Sequence, residues 1–113
     1  MKIYHNPRCS KSRETLSILN KKNVKVDIIE YLKTPLKKVD IQNIITMLGT
    51  SAFNLIRKQE KVFKERYKGK NLSEAEWTTV LHQNPILIER PIVVKDNIAI
   101  IGRPPINVLF LLK

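Results

Sequence analysis

Apolar and polar residues recur along the first thirty positions in a pattern that predicts a strand, a helix and a second strand. Residues 2–4 are a short strand segment that ends at a turn sequence, Asn6-Pro7. Residues 10–22 then place apolar side chains on one helical stripe, at Leu16, Ile18 and Leu19. Residues 24–31 begin with an apolar and polar alternation, which predicts a strand. A strand, a helix and a strand within about 30 residues form a right-handed parallel unit.

The middle of the chain has helical patterns only. Thr34-Pro35 predicts a helix start, with the threonine as cap and the proline in the first turn, and Gly49 predicts the end of that helix. Residues 51–57 predict another short helix, and residues 73–76 have the Ser-x-x-Glu spacing of a capping box that starts a further one. We therefore predict a helical insertion over about residues 35–84.

The last third of the chain changes to a strand pattern. Residues 92–94 and 98–101 are apolar and flank a turn at residues 95–97, which predicts a hairpin. Residues 102–105, Gly-Arg-Pro-Pro, interrupt the second strand, and residues 106–112 predict a short apolar closing helix. The predicted order is βαβ, a block of helices and then ββα, which places the chain in the α/β class.

Size and composition predict one folded domain over residues 1–113. The chain has 113 residues, of which 42% are hydrophobic and 27% charged, enough for one core and too few for two ordinary domains. Its apolar runs are far shorter than the roughly 20 residues that span a bilayer, so no membrane association is expected. Residues 1–7 are too polar for a signal peptide, and a cytoplasmic location is therefore expected.

The net charge of +11 favours anionic partners, and most of the basic surplus lies in the first two thirds of the chain. Aromatic residues make up only 6% of the sequence, and no base-stacking pattern accompanies the lysines. The sequence therefore does not favour nucleic acid as the partner.

Cys9 is the single cysteine, which excludes an internal disulfide and a four-cysteine zinc site. It lies where the first strand enters the first helix, and unpaired backbone N–H groups and the helix dipole favour a thiolate there. Arg8, Lys11 and Arg13 are cationic neighbours, and His5 lies four residues upstream, so we expect a partly exposed thiol with a lowered pKa. The alternative is a buried cysteine that acts as a small apolar residue.

Cys9 and Ser12 have the spacing of a thioredoxin-type Cys-x-x-Cys motif whose second cysteine is replaced by serine. A redox cycle with two cysteines of this chain is therefore excluded, and any reductant has to come from outside. Ser12 is a candidate to donate a hydrogen bond to the thiolate. Alternatively, it is an ordinary residue of the first helical turn.

Three arginines form the candidate anion site. Arg90 and Arg103 each stand beside a proline in otherwise apolar strand sequence, which is unusual for solvated surface charge. Arg57 follows the apolar pair Leu55-Ile56 on a predicted helix, where an ordinary surface position is equally compatible. Guanidinium groups bind tetrahedral oxyanions through two hydrogen bonds at once, so a thiolate and an oxyanion clamp form a coherent pair.

Three segments of the chain together resemble the glutaredoxin-coupled arsenate reductases of the ArsC type. They are residues 4–16 (YHNPRCSKSRETL), residues 85–94 (PILIERPIVV) and residues 102–104 (GRP), and the resemblance covers nearly the whole chain. It implies a thioredoxin-like fold, with a βαβ…ββα core and a helical insertion between the two halves. The short, chromosomally encoded subgroup is the most similar. Ser12 argues against the related redox-sensing transcription regulators, which use a true Cys-x-x-Cys.

The resemblance also implies roles for individual residues. Cys9 would be the nucleophile, His5 would support its ionisation, and the arginines at positions 57, 90 and 103 would bind arsenate and stabilise arsenite. Pro91 would be the cis-proline that faces the cysteine. The implied reaction reduces arsenate to arsenite through a Cys9 adduct, with glutathione as co-substrate, glutaredoxin as the protein partner and no bound cofactor or metal.

Two other functions are compatible with the same residues. The first is a thioredoxin-like redox regulator or adaptor that docks on a partner without arsenate turnover. The second is a monothiol, glutathione-dependent oxidoreductase, which would act on glutathionylated substrates in the absence of arsenate.

Overall fold

The computed structural model describes residues 1–112 of the chain. Its strands and α-helices are, in chain order, β1 (Lys2–Tyr4), α1 (Ser10–Lys21), β2 (Asp27–Ile29), α2 (Lys38–Leu48), α3 (Lys61–Arg66), α4 (Glu74–Gln83), β3 (Ile92–Lys95) and β4 (Ile98–Ile101). Short 3₁₀ helices cover Phe53–Leu55 and Pro85–Leu87, and a longer one covers Pro105–Leu112.

The four strands form one sheet in the order β2-β1-β3-β4. β1 pairs in parallel with β2 and antiparallel with β3, and β3 pairs antiparallel with β4. The parallel pair is joined through α1, and the antiparallel pair is joined by a two-residue turn at which Asp96 has a φ of 56°. This topology is the predicted α/β arrangement of a βαβ unit and a ββα unit with helices between them.

The core beside this sheet is built from the apolar stripe of α1, the centres of the strands and the closing 3₁₀ helix. Its fully buried members include Ile3 of β1, Leu19 of α1 and Val93 of β3. Val108 and Leu111 of the closing helix pack into the same cluster. The cluster anchors both ends of the segments that carry Cys9 and Arg103.

Two predicted elements are longer than the observed ones because tertiary pairing limits them. β2 covers only Asp27–Ile29, since it pairs residue for residue with the three residues of β1, and the Val24 N–H instead bonds to the Leu19 carbonyl at 3.1 Å. The helix predicted over residues 51–57 is a single 3₁₀ turn. The Arg57 N–H bonds to the Leu87 carbonyl at 2.8 Å, so this backbone leaves the helical path.

The predicted helix start at Thr34-Pro35 is wrong. Thr34 lies in a turn, where its N–H bonds to the Glu30 carbonyl, and α2 begins at Lys38. The Asp40 carboxylate accepts a hydrogen bond from the Lys37 N–H at 3.0 Å and so stabilises the N-terminus of α2. Thr34 was expected to cap this helix, and Asp40 takes that role instead. The predicted end of α2 is confirmed, because Gly49 caps it with a φ of 68°.

The described chain divides into two compact units. The first, which we call the sheet unit, combines Met1–Thr34 with the described residues from Arg90 onward. The second, the helical unit, is Pro35–Glu89 and corresponds to the predicted insertion. The helical unit ends at Glu89, whose N–H bonds to the Leu55 carbonyl at 2.9 Å, and the end of the insertion at about residue 84 stays a prediction. The single domain over residues 1–113 stays a prediction.

Within the helical unit, α2 packs against α4, and aromatic rings fill the end of the unit. The Trp77 ring centroid lies 5.1 Å from that of Phe53 and 6.3 Å from those of Phe63 and Tyr67. The predicted capping box of α4 is confirmed: the Ser73 hydroxyl accepts from the Glu76 N–H, and the Glu76 carboxylate accepts from the Ser73 N–H. No helix in residues 1–112 is long and apolar enough to cross a bilayer.

Candidate active site

Cys9 is the residue immediately before α1 and has an extended backbone, with φ −94° and ψ 121°. Its N–H bonds to the Asn6 carbonyl at 3.0 Å, and its own carbonyl accepts the Arg13 N–H at 3.0 Å. The loop from β1 is thereby folded onto the first turn of the helix. The sulfur lies at the helix N-terminus, which is the position that the sequence predicts.

Arg103 contacts the Cys9 sulfur directly. Its Nη2 donates to Sγ at 3.3 Å, and its Nε donates to the Arg90 carbonyl at 2.7 Å. One guanidinium group therefore binds both the Cys9 thiol and the backbone at Arg90, just before β3. The two hydrogen bonds fix the plane of the guanidinium group relative to the sulfur.

Arg90 is the second cation at the sulfur. Arg90 is buried, and its side chain is hydrogen-bonded to Cys9. The peptide bonds Arg90–Pro91 and Arg103–Pro104 are both cis, and the first of these agrees with the cis-proline that the family resemblance implies. The hydrogen bonds of both side chains to Cys9 bring Arg90 and Arg103 together at the sulfur.

The pKa of the Cys9 thiol lies below its ordinary value. Burial alone would raise that pKa, but the Ser12 N–H, a hydrogen bond from Arg90 and the charges of Arg90 and Arg103 outweigh the effect of burial. The lowered pKa agrees with the prediction, whereas its sources differ from those expected. The charges responsible come from the distant arginines rather than from the flanking Arg8, Lys11 and Arg13.

The predicted partial exposure of Cys9 is wrong, because the residue is only 8% exposed. Its surroundings are nevertheless polar, with Asn6, Ser12 and the two arginines in hydrogen-bond contact. The alternative of a thiol that acts as a small apolar residue does not describe this environment. The cysteine is buried by guanidinium groups, which stabilise its charged form.

His5 and Ser12 form a buried pair below the cysteine loop. His5 Nδ1 lies 2.6 Å from the Ser12 hydroxyl, which also accepts the Asn6 N–H at 3.1 Å. Burial and the Arg13 charge lower the pKa of His5 from its ordinary value, against the raising effect of Glu30. The ring is therefore neutral at neutral pH, so His5 orders the loop through Ser12 instead of adding a charge beside the thiolate.

Ser12 donates a hydrogen bond to Cys9, as expected, but through its backbone N–H rather than its hydroxyl. Its hydroxyl contacts His5 and Asn6, while its backbone N–H is the group that lowers the pKa of Cys9. A serine is suited to this position because its hydroxyl can serve both partners in a buried setting. Ser12 is a positioning residue for the loop.

Gly102 and Thr15, which the sequence did not single out as site residues, shape the site. Gly102 precedes Arg103, and a Cβ on it would lie 2.5 Å from the Thr15 hydroxyl and 2.9 Å from Pro91 Cγ. Only glycine allows the backbone before Arg103 to approach α1 this closely. The position of Gly102 within the Gly-Arg-Pro segment is the one sequence signal that could have indicated this contact.

Arg57 belongs to the helical unit. Its Nη1 lies 2.8 Å from Glu89 Oε1 and its Nε lies 3.2 Å from Glu60 Oε1. These two carboxylates raise the pKa of Arg57, although burial alone would lower it. The structure places Arg57 in an ion-pair network of its own unit, and its role as an anion ligand stays a prediction.

No set of three or more His, Cys, Asp or Glu side chains within residues 1–112 converges in a manner that could hold a metal ion. The groups that the structure brings together at the site are the Cys9 thiol and the guanidinium groups of Arg90 and Arg103. The thiolate can attack the electrophilic central atom of an oxyanion, while the two guanidinium groups compensate the negative charge of that oxyanion.

Comparisons with known proteins are consistent with this geometry. A sequence model described as the ArsC family matches residues 4–110. The chain is 41% identical over 115 residues to an arsenate reductase of Haemophilus influenzae, covering 97% of each chain. It is also 45% identical over 111 residues to the uncharacterized protein YfgD of Escherichia coli, covering 96% of this chain and 93% of the other.

The solved structure of an arsenate reductase from Vibrio cholerae superposes with a TM-score of 0.92 at 38% identity, covering 97% of both chains. Sequence and structure therefore agree over almost the full length, including the segments that carry Cys9, Arg90 and Arg103. The chain belongs to the ArsC family and has its thioredoxin-like fold.

Proposed function

We propose that this protein reduces arsenate to arsenite with Cys9 as the nucleophile. The observation that carries the proposal is the contact of both Arg90 and Arg103 with the Cys9 sulfur, with Arg103 at 3.3 Å. The similarity to proteins named arsenate reductases supports arsenate as the oxyanion. A thiolate and an arsenate anion repel each other, and two fixed guanidinium groups lower that repulsion as the reacting atoms approach.

The proposed reaction has three steps. The Cys9 thiolate attacks arsenic, a sulfur–arsenic(V) bond forms, and one protonated oxygen leaves as water. The thiolate of glutathione then attacks the Cys9 sulfur. The sulfur–arsenic bond breaks with its electron pair on arsenic, so arsenic(V) becomes arsenic(III) and leaves as arsenite. A thiolate of glutaredoxin finally takes the glutathionyl group from the mixed disulfide, which restores Cys9.

An external reductant is needed in this proposal because Cys9 is the single cysteine of the sequence. Ser12 occupies the place of a resolving cysteine, and its hydroxyl is engaged by His5 and Asn6. Glutathione and glutaredoxin supply the two electrons that arsenic gains.

Arsenate-dependent oxidation of NADPH in the presence of glutathione, glutaredoxin and glutathione reductase tests the proposal. We expect turnover by the wild-type protein and none by Cys9→Ser, with Arg66→Lys in the helical unit as a variant that keeps full rates. Deglutathionylation of a peptide disulfide without arsenate would instead identify a monothiol oxidoreductase. Absence of both activities in a folded protein would favour the regulator or adaptor.

Arg57→Ala separates the predicted anion ligand from a structural ion pair. If Arg57 binds the anion, its loss raises the KM for arsenate and leaves the KM for glutathione unchanged. If it only pairs with Glu60 and Glu89, the variant is less stable and both KM values stay unchanged. Following the family resemblance, we expect the first result.

A further inference from the structure

A cavity of about 230 Å³ lies beside the loop that carries Cys9. One wall is the loop itself, residues 5–8, and the other is the turn after β2, where Glu30, Leu32 and Lys33 lie. All of these residues belong to the sheet unit. Arg90 and Arg103 are not among its described lining residues, so the cavity is separate from the arginine pair at the sulfur.

The cavity wall is continuous with the nucleophile. Arg8 lines the cavity and directly precedes Cys9, so their Cα atoms are about 3.8 Å apart. Asn6 also lines it, and its carbonyl accepts the Cys9 N–H at 3.0 Å. A molecule bound in this cavity therefore lies against the same loop that presents the reactive sulfur.

The charges around the cavity favour a zwitterionic ligand with an excess of negative charge. Arg8 and Lys33 are cationic and Glu30 is anionic, with Lys33 Nζ 3.4 Å from Glu30 Oε1. The exposed Arg8 guanidinium makes no hydrogen bond or ion pair within residues 1–112. Pro7 and Leu32 add apolar lining.

Glutathione has the complementary pattern, because at neutral pH it carries two carboxylates and one ammonium group. A guanidinium fork binds a terminal carboxylate through two hydrogen bonds, whereas a Lys–Glu pair can exchange partners with an ammonium and a carboxylate on one carbon. The cavity is smaller than the roughly 300–1,000 Å³ of pockets that enclose a drug-sized ligand. It can hold the charged ends of a tripeptide and leave the central thiol outside.

We propose that this cavity is the glutathione subsite of Cys9, with Arg8 binding the glycyl carboxylate and the Glu30–Lys33 pair binding the γ-glutamyl end. The proposal rests on the proposed function, since it assigns the place of the thiol that attacks the Cys9 adduct. In this proposal Arg8 determines specificity for the reductant, whereas Arg90 and Arg103 at the sulfur bind arsenate.

Glutathionylation of Cys9 by oxidised glutathione tests the subsite without arsenate. The Cys9 thiolate attacks one sulfur of the disulfide, the sulfur–sulfur bond breaks, and one glutathione thiolate leaves. Mass spectrometry gives the rate of Cys9–glutathione disulfide formation. We expect Arg8→Gln to lower this rate about tenfold, which equals ~1.4 kcal/mol, while its rate with the neutral disulfide 2,2′-dithiodipyridine stays within about twofold of wild type.

Lys11→Gln is the matched control, because Lys11 is an exposed cation two residues after Cys9 that does not line the cavity. We expect it to leave the rates with both disulfides unchanged, and Lys33→Gln to lower only the rate with oxidised glutathione. Equal losses in Arg8→Gln and Lys11→Gln would overturn the proposal in favour of general charge attraction. An equal loss with the neutral disulfide would also overturn it, because the change would then lie in Cys9 itself.

The turnover assay separates this proposal from the proposed function. If arsenate is reduced, we expect Arg8→Gln to raise the KM for glutathione and to leave the KM for arsenate unchanged. If arsenate is not reduced but the selective loss with oxidised glutathione is observed, the subsite is supported and the arsenate reaction is wrong. Turnover with an unchanged KM for glutathione in Arg8→Gln would overturn the subsite alone.

Discussion

At the residue scale, the reactivity of Cys9 depends on two arginines that are remote in the sequence. The thiol is buried, which by itself disfavours the thiolate, yet Arg90, Arg103 and the Ser12 N–H reverse the direction of the pKa shift. Flanking cations such as Arg8 and Lys11 are exposed, and water and salt screen their effect on the sulfur. Fixed, partly buried guanidinium groups act more strongly than a larger number of solvated charges.

The rate of Cys9 alkylation should report this pKa. We expect the rate to rise with pH and to reach half its maximum below about 8.5, the value of an unperturbed thiol. Arg103→Ala should raise the pH of the midpoint, because the variant lacks the positive charge and the hydrogen-bond donor that Arg103 places beside the thiolate. A midpoint at or above 8.5 in the wild-type protein would contradict the assigned electrostatics.

The same shift has a consequence for stability. The pKa of Cys9 is lower in the folded than in the unfolded chain, so ionisation stabilises the fold above the pKa of the unfolded thiol. This contribution is lost as the pH falls through the folded pKa. We therefore expect the unfolding free energy of the wild-type protein to fall relative to that of Cys9→Ser as the pH is lowered through the folded pKa of Cys9. Urea denaturation of both proteins at several pH values measures this difference.

Arg103→Lys should reduce activity although the charge is kept. The guanidinium group donates to the Arg90 carbonyl through Nε and to the Cys9 sulfur through Nη2, and one ammonium group lacks this planar pair of donors. Loss of one charge-assisted hydrogen bond corresponds to roughly 10- to 100-fold in kcat/KM for arsenate. Full activity of Arg103→Lys, with Arg66→Lys as control, would show that charge alone is sufficient.

At the element scale, the site is made by the close approach of α1 to the two Arg-Pro segments of the ββα half. The Gly102 N–H bonds to the Pro91 carbonyl at 2.9 Å, which connects the two segments. The Thr15 hydroxyl donates to the Lys11 carbonyl within α1 at 2.9 Å and also approaches the Gly102 carbonyl, at 3.5 Å. Helix α1, which begins directly after Cys9, and the backbone that carries Arg103 are therefore packed without space for a methyl group.

Gly102→Ala should destabilise the protein and displace Arg103. The added methyl would meet Thr15 Oγ1 and Pro91 Cγ, and overpacking of this kind costs about 1–3 kcal/mol. Thr15→Ala removes one of the two contacts, so the double variant should lose less stability than the sum of the single variants. Urea denaturation of the four proteins measures this coupling, and strict additivity would show that the two residues do not interact.

At the scale of the whole molecule, the described residues form a sheet unit that contains Cys9 and a helical unit that contains the aromatic cluster. Each unit has its own buried core, around Val93 in the first and around Trp77 in the second. Trp77 is the single tryptophan and Cys9 the single cysteine, so each unit has a natural probe.

We expect the two probes to report one unfolding transition, as a single domain over residues 1–113 requires. Tryptophan fluorescence follows the helical unit, and alkylation of Cys9 after brief exposure to urea follows the sheet unit. Coincident midpoints would confirm the single domain. Separate midpoints would show that the helical unit and the sheet unit unfold independently, and far-UV circular dichroism would then show two steps.

Features that depend on neighbours a few residues away follow from the amino-acid sequence alone. The bounds of β1 and the capping box of α4 are as predicted, and α1 and the hairpin differ from their predicted bounds by a single residue, because hydrophobic period, caps and turn residues act locally. The position of Cys9 at the mouth of α1 follows from the same local rules. Motif order was sufficient for the family, and the proline neighbours of Arg90 and Arg103 were sufficient to make both arginines candidates for the site.

Which groups act on the Cys9 sulfur depends on contacts between distant segments in the folded chain. Arg103 contacts Cys9 across 94 positions of sequence. The neighbouring proline marked Arg103 as a candidate, but no local pattern states that its guanidinium group reaches the sulfur while that of Arg57 pairs with Glu89. Pairing between distant segments likewise shortened β2 and stopped the helix predicted over residues 51–57. Burial, charge and hydrogen bonding at Cys9 are properties of surroundings that exist only once the sheet has formed. For that reason the exposure of Cys9 and the sources of its lowered pKa were predicted wrongly, although the direction of the pKa shift was predicted correctly.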